Sequence, residues 1–454
     1  MPYSNQKAGK GGHIDLVKNP DVGNFLSSCD YIHEPTEEEG ESIAATFHDA
    51  PLGGLPPEKV VASDASQYME PINGKFPSTQ IGYIKLSLML VNMADYDGLI
   101  KPGIRFVDPF KVASLHRNAD AIAFTLPGSN IRYKGASTVK DGFRLAVWEQ
   151  LSDARTNFSK SGPYCVADTL FAISNGLLTV KKCPGCDFQP EDEFQFRQNN
   201  PVQNCPRCGI SVYATDSLRL FEEISDFGSN ASPITRFMNA IEHLTMASLI
   251  RMLSEQQPTA LSKMAFFIDG PLAVFGQPAW ISKRLMGFYH RISQDLITRG
   301  LRIPVIIGLQ KEGMAMDHSR SINRFVGSGK YRVIDDEYRK QYISASASKT
   351  PNFGDETYYG QDFIFKTEKG QIFVVGVPYP FPNKQNKEQF AKDKVNVSNY
   401  PDLGCTFDLI RHFEFDLYQS AIVPVALAHR HASISLVPGG KVLDLISRHG
   451  LGLH

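Results

Sequence analysis

The sequence has almost no net charge. Lysine and arginine together number 47, and aspartate and glutamate number 48, which leaves a formal charge of -1 over 454 residues. A chain without a broad positive field does not attract a polyanion at long range. If the partner is nucleic acid, the basic contacts must therefore be gathered into a local groove or ring.

Long hydrophobic runs are also missing. The most apolar stretch, residues 84–94, contains Lys85 and Asn92 and is too short to span a bilayer. The first residues are polar and lack the apolar core of a signal peptide. We therefore expect no membrane segment and a cytoplasmic location.

Cysteine is scarce, and its pattern favours a metal site over disulfide bonds. Four of the seven cysteines form two Cys-x-x-Cys pairs, which are Cys183 with Cys186 and Cys205 with Cys208. Four thiolates at this spacing can complete the tetrahedral coordination of one structural Zn²⁺ ion. We therefore expect a small zinc-ribbon insertion over residues 180–212, with loose thiols or a redox pair as the alternative.

Two short apolar segments are each followed by an aspartate. Residues 264–268 are continuously apolar and precede Asp269-Gly-Pro, which predicts a buried strand that ends in a turn. Residues 60–64 have the same arrangement and end in Asp64. Open α/β sheets place ligands at the carboxyl ends of their strands, so the two carboxylates are candidates for one site. A simple turn role for Asp269 remains open, because Asp-Gly is ordinary turn chemistry.

A third carboxylate is expected from a helix. Hard divalent cations need several anionic oxygens, and phosphodiester hydrolysis uses such ions to generate hydroxide. Glu242 has Met238 and Met246 at helical spacing, so a charge on this half-apolar face needs a reason. Glu255 competes with it, although its position beside Arg251 near the helix end indicates a solvated side chain. An ordinary surface charge at Glu242 is the remaining alternative.

Two further groups are candidates for phosphate contacts. Lys311 comes just after the predicted strand 304–309, where a cation at the sheet edge can bind a phosphate. His429 lies in an alanine-rich helix predicted to begin at Pro424. A lone core histidine is the usual interpretation of such a position.

Strands alternate with helices along the chain, which predicts a mixed α/β sheet with helices packed on it. Residues 1–58 are predicted to be an N-terminal arm with one helix, which begins at the capping box of Thr36 and Glu39. The other predicted elements are a strand over 81–93 paired with 104–107, a hairpin of 363–365 with 372–375, and helices over 138–153, 217–223 with Asp216 as N-cap, 232–255 with Ser232 as N-cap, and 279–298.

The ordered set of motifs resembles the NurA nuclease family. The resemblance covers about residues 59–440 and rests on Asp64 after a short strand, Glu242 on a helix, Ile-Asp269-Gly-Pro-Leu, Ile-Gly-Leu-Gln-Lys311 and Val-Pro-Val-Ala-Leu-Ala-His429. It implies a ribonuclease H-like core in a nuclease domain of residues 59–454. Asp64, Glu242 and Asp269 would be ligands of Mn²⁺ or Mg²⁺, His429 a metal or phosphate contact, and Lys311 a phosphate contact.

The same resemblance implies an activity and partners. NurA proteins are manganese-dependent DNA exo- and endonucleases that form dimers and pair with the hexameric HerA ATPase, so a role in DNA end processing or phage defence is expected. The basic residues available to line a dimer channel are Lys283, Arg284, Arg332 and Lys340, for each of which a solvated surface position is the default.

Three features depart from the family pattern. Ala65 follows Asp64 where the family usually has glycine. The separation from Glu242 to Asp269 is long, which keeps Glu255 as a candidate. The cysteine pairs lie outside the pattern.

Two other functions also remain open. One is an actin-like or sugar-kinase-like ATPase, although neither aspartate precedes the paired-glycine phosphate loop that such a protein needs. The other is a non-catalytic zinc-ribbon DNA-binding adaptor of a translocase.

Overall fold

A computed structural model of the protein describes residues 14–29, 33–73, 75–99, 119–159, 161–344, 354–415 and 421–434. The strands in these residues are β1 (His48–Asp49), β2 (Lys59–Asn73), β3 (Phe76–Asn92), β4 (Ala119–Pro127), β5 (Leu178–Val180), β6 (Phe194–Phe196), β7 (Val202–Asn204), β8 (Ser211–Tyr213), β9 (Met264–Asp269), β10 (Val305–Gln310), β11 (Lys330–Val333), β12 (Gly360–Lys366) and β13 (Ile372–Pro378).

The helices of the same residues vary from one turn to seven. They are α1 (Ile14–Val17), α2 (Pro20–Ser27), α3 (Glu37–Ala44), α4 (Met93–Asp97), α5 (Val139–Leu151), α6 (Val166–Ile173), α7 (Ala231–Gln256), α8 (Pro258–Leu261), α9 (Trp280–Thr298), α10 (Met314–Ile322), α11 (Asp336–Tyr338), α12 (Lys387–Asp393), α13 (Leu403–Phe413) and α14 (Val423–Ala432). None of these described helices combines the length and the apolar character needed to cross a bilayer.

Nine strands form one mixed sheet in the order β1-β11-β12-β13-β10-β9-β2-β3-β4. The central strands β10, β9 and β2 are parallel, and the other neighbouring pairs are antiparallel. Strands β5 and β6 form one small sheet, and β7 and β8 form another. The predicted α/β architecture, a large mixed sheet flanked by helices, is confirmed.

Helices cover both faces of the central strands. Along β9, Phe266 and Ile268 belong to the core on the side of α7, whereas Ala265 and Phe267 belong to the core that contains residues of α13 and α14. A strand buried on both faces is apolar at every position. This explains why residues 264–268 form a continuous apolar run instead of an alternating pattern.

The first long hairpin differs from its prediction. Strand β2 does not end at Asp64 but continues to Asn73, paired with β3 in one register as far as Pro71. The small residues Ala65 and Ser66 lie in the ladder instead of opening a turn, because β3 supplies partners for their backbone groups. Strand β3 also pairs with β4, while the predicted partner segment 104–107 lies outside the described residues.

Other local predictions also need correction. The N-terminal region contains α1, α2 and α3 instead of one helix, although the Thr36–Glu39 capping box of α3 is confirmed. Helix α7 begins at Ala231, with Asn230 instead of Ser232 at the N-cap position. The predicted helix over 217–223 is two short 3₁₀ turns, Ala214–Leu218 and Leu220–Glu223.

A buried histidine makes the stability of this fold depend on pH. His318 of α10 is 7% exposed, and its Nε2 lies 2.8 Å from the hydroxyl oxygen of Tyr338. Burial lowers the pKa of His318 to about 4, because the imidazolium cation would lose its hydration. The unfolded chain takes up this proton near pH 6.5, so the folded state loses stability as the pH falls from 6.5 towards 4.

We expect His318→Gln to remove about 2 kcal/mol from the fall in unfolding free energy between pH 7 and pH 5. The measurement is urea denaturation at the two pH values. His48→Gln, at an exposed histidine of β1, is the control and should keep the wild-type pH dependence. If the unfolding free energy of His318→Gln falls between pH 7 and pH 5 as much as that of the wild type, His318 is not the titrating group.

Candidate metal and phosphate site

The parallel pairing of β2 and β9 brings two aspartates side by side. Ser63 is the register partner of Ile268, so the next residues along the two strands, Asp64 and Asp269, stand at the same level. The sequence separates them by two hundred residues, and their proximity follows from this register alone. Their carboxylates lie at the carboxyl end of β9, where the parallel pairing of β9 with β2 ends.

Strand β10 adds a cation to the pair. Leu309 is the register partner of Asp269, and Lys311 follows the end of β10. The Lys311 ammonium donates to Asp269 Oδ2 at 2.7 Å, and the Gly270 amide donates to the carbonyl oxygen of Leu309 at 2.8 Å. Arg320 donates to the carbonyl oxygen of Lys311 at 2.7 Å, which holds the strand-to-helix turn in place.

Helix α14 brings His429 to the same point. Proline at position 424 occupies the first turn of this helix, where its missing N–H costs nothing. The helix packs on β2 and β3, and His429 Nδ1 lies 2.8 Å from Asp64 Oδ2. This hydrogen bond with Asp64 raises the pKa of His429. Its side chain is 57% exposed, so the ring stands between the buried carboxylate and solvent instead of in the core.

Helix α7 contributes Glu242 from the opposite layer. The residue is 7% exposed, and burial, followed by the charges of Asp64 and Asp269, raises its pKa well above the usual range. Glu255 lies thirteen residues further along the helix, roughly 20 Å away. It is half exposed and pairs with Arg251 and Tyr164. Of the two candidate glutamates, the structure therefore places Glu242 beside the aspartates.

The donor set fits a divalent cation. Ligand atoms of Asp64, Asp269 and His429 lie within 4.8 Å of one another. Burial, the Asp64 charge and the opposing effect of Lys311 leave the pKa of Asp269 raised to about 7. Within the described part of the chain, Glu242 Oε1 is buried without a hydrogen-bond partner. A cluster with this excess of buried negative charge is the environment that Mn²⁺ or Mg²⁺ occupies.

His243 and Tyr359 lie close to Glu242 but were not predicted from the sequence to belong to the site. His243 Nδ1 lies 2.8 Å from the Tyr359 hydroxyl oxygen, and burial lowers the pKa of His243 to about 4. The imidazole is therefore neutral at pH 7, with Nδ1 beside the Tyr359 hydroxyl and Nε2 3.4 Å from the Asn239 amide nitrogen. The pKa of Tyr359 is raised mainly by burial, and to a smaller extent by the charges of Tyr289 and Glu242. The only sequence signal for this group was that His243 adjoins Glu242.

The four paired cysteines also converge. Cys183 Sγ lies 3.6 Å from Cys208 Sγ, and Cys186 Sγ lies 3.8 Å from Cys205 Sγ, with all four sulfurs within 4.8 Å of one another. Tetrahedral coordination at a Zn–S distance of about 2.3 Å needs sulfur separations of about 3.8 Å. The cluster can therefore hold a metal ion such as zinc.

The two cysteine loops have the same backbone structure. In the first, the Cys183 amide donates to the Phe188 carbonyl and the Asp187 amide to the Cys183 carbonyl. In the second, Cys205 makes the equivalent bonds with Ile210 and Gly209. The fifth residue of each loop has positive φ, +54° at Asp187 and +77° at Gly209, which glycine and aspartate tolerate better than most residues.

The cysteine hairpins are joined to the main core by a buried ion pair. Arg144 of α5 donates to both carboxylate oxygens of Asp216, at 2.9 and 2.6 Å, and to the Ser211 carbonyl at 2.7 Å. Asp216 also accepts from the Tyr213 amide, so it closes the 3₁₀ turn after β8 instead of capping a helix. Cys183 and Cys205 belong to the same core cluster as β9 and α7.

Comparisons with known proteins show little similarity. No family model matches the sequence, and no curated protein matches it. Among solved structures, the chain is similar to the NurA nuclease from Sulfolobus solfataricus, with 9% sequence identity, 98% of each chain covered and a TM-score of 0.34. At this TM-score the similarity supports no argument about fold or activity, so membership of the NurA family stays a prediction from the sequence motifs.

Proposed function

We propose that the chain is a metal-dependent deoxyribonuclease that hydrolyses phosphodiester bonds. The observation that supports this most is the convergence of three carboxylates in a place where isolated charges are costly: Asp64 and Glu242 are buried, Asp269 is partly buried, and the charges of both aspartates act on Glu242. Lys311 and His429 stand at the same point and are suited to an anionic substrate. The choice of DNA as substrate rests on the motif resemblance.

Each residue has a role in this proposal. Asp64 and Asp269 hold Mn²⁺ or Mg²⁺, and Glu242 completes the acidic set from the helix side. When bound, such a cation lowers the pKa of water and steadies the charge that develops on the phosphate. Lys311 places a second positive charge beside a phosphate oxygen. His429 has Nδ1 engaged by Asp64, so Nε2 is the atom that contacts a phosphate or holds a proton.

The β-ladder argues against an actin-like ATPase. Such a protein binds phosphates with backbone amides of loops that follow the strand aspartates. Here, the residues after Asp64 continue in the ladder with β3 as far as Pro71. The amide after Asp269, that of Gly270, is donated to Leu309. The residues after Asp64 therefore continue as a paired strand and do not form the loop of a phosphate-binding nest.

From the motif resemblance we further propose that the protein forms a homodimer and binds a HerA-type ATPase hexamer. The dimer would form a channel around DNA. The four basic residues suggested for such a channel differ in their surroundings. Lys283, Arg284 and Lys340 are exposed. Arg332 instead pairs with Asp335 at 3.1 Å and lies over a tyrosine ring, so Arg332 serves the fold and is a poor candidate.

We also propose that the cysteine cluster, within the insertion 180–212, is a structural Zn²⁺ site. The metal would replace the weak sulfur contacts by four strong bonds and close its coordination sphere, which excludes a catalytic role for it. A non-catalytic adaptor would need this cluster but not Asp64, Asp269 and Glu242. The first of the following experiments separates that alternative from a nuclease.

Asp269→Asn should lower the rate of Mn²⁺-dependent DNA cleavage by about 10²-fold or more, since a lost metal ligand costs several kcal/mol. Glu242→Gln should do the same, and both should weaken Mn²⁺ binding measured by calorimetry. The assay is cleavage of a labelled linear DNA with added Mn²⁺.

Glu255→Gln is the matched control on the same helix and should cleave and bind Mn²⁺ as the wild type does. Cleavage lost in Glu255→Gln but kept in Glu242→Gln would reverse the assignment of the glutamate. Cleavage that is absent in the wild type would favour the adaptor.

Purified protein should contain about one Zn²⁺ per chain by elemental analysis, as expected of a single four-cysteine site. Replacing Cys183 and Cys186 with serine should release the ion and lower the melting temperature, because metal binding is coupled to folding of such modules. Cys29→Ser, at an exposed cysteine far from the cluster in sequence, should keep the zinc. Zinc-free protein prepared without chelators would count against this site.

The protein should be a dimer in solution, with weak, salt-sensitive nuclease activity that a cognate HerA-type ATPase stimulates in the presence of ATP. The reason is the net charge near zero, which gives a single chain little attraction to DNA. Sedimentation and degradation of linear duplex, with and without partner and ATP, are the measurements. A monomer that degrades duplex equally well without partner or ATP would exclude a model in which the ATPase feeds DNA into a nuclease dimer.

A further inference from the structure

The segment that follows Asp269, residues 270–275, lies across the sheet and is called the strap below. Its backbone is paired: the Leu272 carbonyl and the Val274 amide are hydrogen-bonded, at 2.8 and 2.9 Å, to the backbone of residues 357–359, which lead into β12. The strap begins directly after Asp269. The position of the strap therefore fixes where the chain leaves this aspartate.

Two neighbouring glycines make room for the strap on the sheet. Gly308 of β10 and Gly376 of β13 are register partners. A Cβ atom added to Gly308 would come within 2.8 Å of the Gly270 carbonyl oxygen and 3.0 Å of the Leu272 amide nitrogen. At Gly376 the nearest contact of an added Cβ is the Leu272 side chain, at 3.3 Å. The strap backbone thus approaches β10 so closely that only glycine fits at position 308 without a shift.

Helix α7 holds the strap from the helix layer. Asn239 Oδ1 accepts from the Phe275 amide at 3.0 Å, and Asn239 Nδ2 lies 3.5 Å from the Ala273 carbonyl oxygen. One turn further along, His243 Nε2 lies 3.4 Å from Asn239 Nδ2, and His243 Nδ1 lies 2.8 Å from the Tyr359 hydroxyl oxygen. Side chains one turn apart on α7 therefore contact both the strap and the segment that pairs with it.

The same turn of α7 carries Glu242, which comes just before His243. Backbone hydrogen bonds hold neighbouring residues of a helix in fixed relative positions. One rigid element therefore supplies one acid of the site and, through Asn239 and the strap, also holds the chain that follows Asp269. The relative position of the two carboxylates depends on these contacts as well as on the strand register.

We propose that Asn239 and Gly308 are positioning residues that hold the Asp269 carboxylate where it can share a divalent cation with Glu242. This inference rests on the proposed metal-dependent function. Neither residue is assigned a contact with the cation: Asn239 acts through the strap from α7, and Gly308 admits the strap to β10. Ligands of a functional site must be held within about 0.5 Å of their productive geometry, so a small shift of the strap weakens the site.

Mn²⁺ binding to the full chain, without DNA, tests this role. Calorimetry gives the Kd for Mn²⁺, and the melting temperature in EDTA measures the stability of the fold without that ion. Asn239→Ala and Gly308→Ala should each weaken Mn²⁺ binding by about 10- to 100-fold, as expected when a group that orients metal ligands is changed. The first removes the acceptor of the Phe275 amide, and the second displaces the Gly270 backbone.

Each variant has a control of the same chemistry. Gly376→Ala adds the same methyl group to the register partner of Gly308, where its nearest contact is a side chain. Ser248→Ala removes another hydrogen bond between α7 and a loop, from Ser248 Oγ to the Tyr164 carbonyl at 2.6 Å. Both controls should keep the wild-type Kd for Mn²⁺, although Ser248→Ala should lower the melting temperature.

If Gly308→Ala does not fold, Tyr359→Phe takes its place. It removes only the hydroxyl group beside His243 Nδ1 and should weaken Mn²⁺ binding by about 10-fold.

Three outcomes separate this proposal from the proposed function. Variants that lower the melting temperature in EDTA but keep the wild-type Kd for Mn²⁺ would overturn the positioning role, as would an equal loss of affinity in Gly376→Ala. A wild type that does not bind Mn²⁺ would remove the metal site and both proposals with it. Altered Mn²⁺ binding in Asn239→Ala, without DNA cleavage by the wild type, would leave the positioning role standing and remove the nuclease.

Discussion

The parallel register of β2 and β9 is the constraint on which the site depends. It places Asp64 and Asp269 side by side at the end of a strand that is buried on both faces. Two carboxylates in such a place repel each other and lose hydration, so the pKa of Asp269 rises to about 7. Two neighbouring groups offset part of this negative charge. Lys311 lies beside the Asp269 carboxylate, and His429 lies beside the Asp64 carboxylate.

The sheet draws these compensating groups from different layers. Helix α14 approaches from one face with His429, and α7 approaches from the other with Glu242, which adds a third acid instead of a counter-charge. A structural role alone does not account for an additional buried acid, because replacing it by an apolar residue would remove its desolvation cost. A cation-binding role does account for it, since each acid adds a ligand.

The cysteine cluster joins the core on the α7 side of the sheet. The two small hairpins reach the core through Cys183, Cys205 and the buried pair of Arg144 and Asp216. Their two loops repeat one backbone conformation, which presents four sulfurs to a common centre. Metal bound there would stabilise the hairpins, which bury too little apolar surface to be stable alone.

The sequence by itself determined the α/β architecture, the strand of residues 264–269, the Thr36–Glu39 capping box and the cysteine pairs, because these depend on local periodicity and spacing. It did not determine where β2 ends, since only the presence of β3 keeps Ala65 and Ser66 in a ladder. It also left Glu242 and Glu255 open. The strand-end pattern and the motif resemblance made Asp64, Asp269 and His429 candidates for one site, but only the tertiary structure set the strand register and the packing of α14 that bring them into contact, because such contacts leave no local pattern in the chain.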